Sequence, residues 1–139
     1  MNRRRTVLLA ALLLAAAACG GDAEAGGLGT DGGGDPGPSV PDDVVVVDGT
    51  EASVTAIDNT FRAADIEVKP GTTVTWENRG RNEHDVLPVE GDAWGAAVEE
   101  FAPGATYSTT FDEPGVYPYY CSIHGTTDEG MVGTVVVSD

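Results

Sequence analysis

After residue 43 the chain alternates apolar and polar positions in short runs. Val44 to Val47 is a β-branched run. Val54-Thr55-Ala56-Ile57 and Ile66-Glu67-Val68 follow, the second alternating apolar with charged. Thr72 to Trp76 alternates so that Val74 and Trp76 share a face. Val86-Leu87 is a brief apolar pair. Tyr107, Thr109 and Phe111 lie on one face of the next run, and Val116–Cys121 and Met131–Val137 complete the set. Segments of period two bounded by turn residues predict antiparallel strands. Pro70-Gly71, Pro103-Gly104 and Pro114-Gly115 each stand immediately before a strand-like run. Pro presets φ and Gly accepts positive φ, so each pair predicts a turn. About seven or eight short strands within residues 44–139 predict an all-β sandwich. Asp92 to Phe101 fits a helical turn or an irregular edge strand, and the pattern does not choose between them.

The first 43 residues read differently. Met1-Asn2-Arg3-Arg4-Arg5 is basic, and Val7 to Ala18 is unbroken apolar sequence. That run is too short to span a bilayer but suits the apolar core of an export signal. Cys19 follows Ala16-Ala17-Ala18, and this arrangement resembles a bacterial lipoprotein signal. The resemblance implies cleavage of residues 1–18 and lipidation of Cys19, although Ala16 stands where Leu is usual. Ordinary cleavage, with Cys19 incidental, is the alternative. Arg4-Arg5 faintly resembles a twin-arginine signal, so either the general or the twin-arginine route is open. Residues 19–43 are rich in Gly, Asp and Pro and poor in large apolar side chains. They bury too little surface to offset chain entropy and are expected to form a tether. Residues 44–139 are the expected folded domain.

Charge narrows the range of partners. Removing residues 1–18 leaves four basic residues against 23 acidic ones. Binding nucleic acid through its phosphates needs basic patches, so that class is excluded. An acidic surface can steer a basic partner inward, or simply keep the protein soluble.

The candidate chemistry is concentrated in two places. The two histidines are His84, in Glu83-His84-Asp85-Val86, and His124, in Tyr120-Cys121-Ser122-Ile123-His124. Cys121 is the one cysteine beyond the signal boundary, and Met131 is the one methionine besides Met1. A lone exported thiol is a liability unless something holds it. Singly, each residue is explained by packing: Met131 as core filler, Cys121 as a small buried hydrophobe, the histidines as surface or satisfied core residues. Together, a soft thiolate, two imidazoles and one thioether form a set that selects copper. Zinc also takes Cys and His, but a structural zinc site normally has four such ligands and no Met. No second group of histidines is left to build the extra centre that a copper enzyme needs, so an enzyme is not expected.

Several motifs carry a family resemblance: Val68-Lys69-Pro70-Gly71-Thr72-Thr73-Val74-Thr75-Trp76-Glu77-Asn78, then His84-Asp85-Val86, then Tyr120 to His124, then Gly130-Met131-Val132-Gly133. Residues 44 to 137 resemble a cupredoxin of the plastocyanin, amicyanin and halocyanin type. The resemblance implies a Greek-key β-sandwich with one type 1, or blue, copper cycling between Cu(I) and Cu(II). It implies the ligands His84, Cys121, His124 and Met131, and transfer of single electrons between redox partner proteins. It also implies electron exit through His124, and it likens Tyr120 to a second route, although packing explains Tyr120 equally well. The six residues between His124 and Met131 exceed the loop in plastocyanin or amicyanin, which makes Met131 the ligand most exposed to displacement. Asp85 stands where plastocyanin commonly has Asn. It is expected to accept a hydrogen bond from Ser122 and so tie the two ligand segments together. The chain is therefore expected to be an exported, monomeric electron carrier, lipid-anchored at the outer face of the cytoplasmic membrane or in the periplasm. Its partners would include membrane electron-transfer complexes. A copper carrier delivering metal to a membrane oxidase is the alternative.

Overall fold

The computed structural model describes residues 37–139. The expected export signal, Cys19 and most of the expected tether lie outside the described residues.

Among the described residues, nine strands form two sheets. They are β1 (Val45–Val46), β2 (Glu51–Ile57), β3 (Thr60–Arg62), β4 (Asp65–Val68), β5 (Thr72–Asn78), β6 (Leu87–Pro88), β7 (Thr106–Phe111), β8 (Gly115–Gly125) and β9 (Gly130–Val137). One sheet has the order β1-β4-β9-β8-β6 and the other β3-β2-β5-β7; the pairs β1–β4, β4–β9 and β2–β5 run parallel, where the alternation predicted antiparallel strands, because within-strand period does not record a neighbour's direction. The inner faces of the two sheets pack together as a Greek-key sandwich. β5 shows why the sequence folds this way. Thr72, Val74, Trp76 and Asn78 are buried while the residues between them are half-exposed. That alternation is what a strand with one face on a core requires. Gly71 and Gly104 adopt φ of +84° and +85°, so two of the Pro-Gly pairs make the expected turns. The third differs: Gly115 has no positive φ and opens β8 as an ordinary strand residue.

The core is aromatic at its centre. Trp76 is fully buried, with ring centroids 5.7 Å from Trp94, 5.7 Å from Tyr107, 6.3 Å from Phe111 and 5.4 Å from Tyr119. Tyr119, also fully buried, donates its hydroxyl proton to the Ala64 carbonyl at 2.8 Å, so its polar end is satisfied. Burial pushes the Tyr119 phenol far above its ordinary range. The segment left open by the pattern contains both proposed kinds of structure. Ala96 bridges Val86 antiparallel, and Val98–Glu100 form one 3₁₀ turn. Among the described residues, no helix is long and apolar enough to cross a membrane.

Candidate metal centre

The site lies at the end of the sandwich where β8 meets β9. Strand alternation turns Tyr119 and Cys121 inward, and both are fully buried. β6 pairs with β8 through Leu87↔Tyr120 and Pro88↔Tyr119. That pairing carries the residues just before β6 alongside the end of β8. His84 Nδ1 thereby comes to 3.7 Å from Cys121 Sγ, and His124 Nδ1 lies 3.8 Å from the same sulfur. One ligand atom from each of the three residues falls within 4.8 Å of the others. Met131 opens the core-facing part of β9 and is fully buried.

These groups fit a soft metal ion. A sulfur–nitrogen separation of 3.7–3.8 Å is long for a direct hydrogen bond. It suits two bonds of about 2.0–2.3 Å, the metal–nitrogen and metal–thiolate lengths, opened to a wide angle at one ion. Cys121 is a free thiol. Thiolate, imidazole and thioether donors together favour copper over zinc or a hard cation.

The two histidines are held differently. His84 is fully buried, and its Nε2 has no hydrogen-bond partner. The loop above it is organised by Asn78, the last residue of β5. Asn78 Nδ2 donates to the Asn82 carbonyl at 3.0 Å and the Phe101 carbonyl at 2.9 Å, and its Oδ1 accepts from Gly80 N–H at 3.0 Å. A Cβ at Gly80 would sit 3.4 Å from His84 Nε2 and 2.9 Å from Asp58 N, so only glycine fits without a shift. The alternating run read from the sequence ends at Trp76 and gives Asn78 no role. A polar residue in phase with Val74 and Trp76 was the available clue to its role. His124 is partly exposed, and its neighbour Ile123 is an exposed apolar residue. Tyr120 lies half-buried on the outer face of β8.

Asp85 and Ser122 meet. Asp85 is buried; its Oδ1 accepts from Ser122 N–H at 2.7 Å and its Oδ2 from the Ser122 hydroxyl at 2.5 Å. The two ligand segments are thus tied together beside Cys121, by two bonds where the sequence suggested one.

The segment after Cys121 departs from the sequence reading, which began a loop at Ser122. β8 continues, with an irregularity after Tyr120, as far as Gly125, which pairs with Gly130 across the base of the turn. The backbones approach so closely there that a Cβ on Gly125 would lie 2.7 Å from Met131 N, and one on Gly130 2.6 Å from the His124 carbonyl. Gly130 also has φ +89°. Thr126 N–H donates to the Glu129 carbonyl at 2.8 Å, which closes residues 126–129 into a separate exposed turn. The glycine pair brings His124 and Met131 together whatever the tip contains. Exchanging residues 126–129 for Asn-Gly is therefore expected to leave the copper spectrum unchanged, whereas Gly130→Ala shifts it. Visible and electron paramagnetic resonance spectra of the two variants check this.

Burial pushes the Cys121 thiol up; backbone N–H groups of Asp85, Ile123 and His124 oppose the rise, and the Asp85 charge adds to it. Burial also lowers His84, helped by His124 and opposed by Asp85 and Asp58. In the metal-free protein the thiol therefore keeps its proton at neutral pH, while His84 is neutral. A metal binding as a thiolate complex displaces that proton. Copper affinity is expected to rise by about tenfold per pH unit above neutrality while the thiol stays protonated. Metal titrations at several pH values measure the slope, and a flat profile contradicts thiolate ligation.

The family described as copper binding proteins, plastocyanin/azurin family, matches residues 49–138. Plastocyanin of Scenedesmus fuscus is 34% identical over 85 residues, covering 55% of this chain and 85% of that protein. Chloroplastic plastocyanin of Hordeum vulgare is 37% identical over 86 residues, covering 56% of this chain and 54% of its own length, so the chain spans about half of that relative. A Cu(I) form of a mutant amicyanin superposes with a TM-score of 0.55 at 32% identity, covering 66% of this chain and 86% of that one.

Proposed function

Because the chain belongs to the plastocyanin/azurin family of copper-binding proteins, we propose that it carries single electrons between redox partner proteins through one type 1 copper held by His84, Cys121, His124 and Met131. The observation that carries this reading is the convergence of the His84, Cys121 and His124 ligand atoms within 4.8 Å. Bound copper would supply a one-electron Cu(I)/Cu(II) couple. The protein's part is to hold both oxidation states in one geometry. Four features support rigidity: the buried His84, the Asp85–Ser122 tie, the Gly125–Gly130 pair and the sheet pairing of β8 with β9. A site that moves little between states has little to rearrange when an electron arrives. His124, partly exposed beside exposed Ile123, is the port through which a partner docks on the end of the sandwich.

With both histidines in this one centre, none remains for a second copper. The protein acts as a carrier rather than an enzyme, and as a monomer. In this reading an export signal over residues 1–18, lipidation of Cys19 and the segment 19–43 hold the domain at the outer membrane face, within reach of donor and acceptor.

Repeated reduction and reoxidation of the copper-loaded full chain, in the presence of a copper chelator, tests this reading. An electron carrier keeps its copper through many cycles. Loss of copper to the chelator on the first reduction would instead identify a protein that delivers copper to an oxidase.

A further inference from the structure

We infer that Asp85 sets the reduction potential of the copper by its charge, holding it low, and that Ser122 moderates that effect. The inference rests on the copper reading above. Asp85 is 3% exposed and follows His84 directly in the chain. Both its oxygens accept hydrogen bonds from Ser122, one from the backbone N–H and one from the hydroxyl. Neither contact brings a positive charge to the carboxylate. Among the described residues the single ion pair is Arg79–Glu77, so no Lys or Arg neutralises Asp85. The buried negative charge therefore acts on the metal position with little screening.

The charge balance gives the sign. With the Cys121 thiolate as the one charged ligand, the oxidised centre carries one net positive charge and the reduced centre none. A carboxylate nearby stabilises the first and offers nothing to the second. Adding an electron, taken from a redox partner protein, is then harder. The Ser122 hydroxyl draws charge density toward itself on Oδ2 and weakens the effect. A purely structural role makes a different prediction: if Asp85 and Ser122 mattered only as a clasp, removing either side would loosen the same contact and move the potential in the same direction.

Redox titration of the copper-loaded full chain separates the two. Asp85→Asn keeps an acceptor for the Ser122 N–H and removes the charge, so the potential is expected to shift upward with the visible band retained. Ser122→Ala keeps the charge and removes one donor, so the potential is expected to shift downward. An unmoved or lowered potential in Asp85→Asn, or shifts of one sign in both variants, overturns the inference. If Asp85→Asn does not fold, Ser122→Ala decides alone, since an unmoved or raised potential overturns it equally. A visible band in the native protein shows that the copper reading stands whichever way the potentials fall. Its absence sinks that reading first.

Discussion

Cys121→Ser is expected to abolish the intense visible absorption of the Cu(II)-loaded protein and to weaken copper binding by orders of magnitude. The band arises from charge transfer between a thiolate and Cu(II), and Cys121 is the free thiol at the site. A serine hydroxyl remains protonated at neutral pH and is a hard, weak donor, so the strongest bond in the set is lost. His84 and His124 alone offer two imidazoles with no charge to compensate the ion. The fold should survive, because the replacement is nearly the same size and leaves at worst one buried hydroxyl short of a partner, at a cost of about 1–3 kcal/mol. Visible spectra and copper stoichiometry on the folded variant check this. An unchanged band would place the thiolate ligand elsewhere.

Trp76→Ala is expected to cost about 3–5 kcal/mol, the range for emptying a buried aromatic site. It belongs at the upper end because Trp76 is fully buried and its ring is in contact with four other aromatic residues from different parts of the fold. Three of those neighbours, Tyr107, Phe111 and Tyr119, are held by strand pairing, such as Trp76↔Tyr107 between β5 and β7, and cannot collapse inward to refill the space. A typical domain has about 5–15 kcal/mol of stability, so the metal-free variant approaches unfolding. Bound copper adds stability by mass action and should rescue it in part. Denaturant unfolding with and without copper measures both effects. Thr73→Ala, which removes only the exposed cross-strand hydroxyl pair with Thr110, serves as the control and is expected to cost no more than about 1 kcal/mol.

Strand pattern alone places much of this architecture. Val74 and Trp76 share an inward face as the alternation requires, and Tyr119 and Cys121 do the same in β8. β3 escapes the pattern because Thr60-Phe61-Arg62 offers one apolar position, too few to show a period. Its flanking turns use Asp58 and Ala63 at φ 51°, where neither Gly nor Pro gives warning. The end of β8 escapes the pattern because Ser122 and Ile123 are both exposed and bury no alternate face, while the feature that extends the strand is a close approach between Gly125 and Gly130. The site residues stand out as the chain's scarce soft donors. Their meeting does not, since it depends on β6 pairing with β8, and periodicity within a strand carries no record of which strand lies beside it. Asn78 is hidden for the same reason: its partners Asn82 and Phe101 come from loops that only the fold brings together.

Electron carriage by this chain depends on two separated pieces of chain gripping one copper ion. Copper K-edge X-ray absorption of the full chain, loaded with one equivalent of Cu(II), reads the neighbours of that ion directly. One short sulfur bond accompanied by two imidazole nitrogens is the predicted result. Copper surrounded by oxygen and nitrogen alone, with no sulfur in its inner sphere, would contradict it.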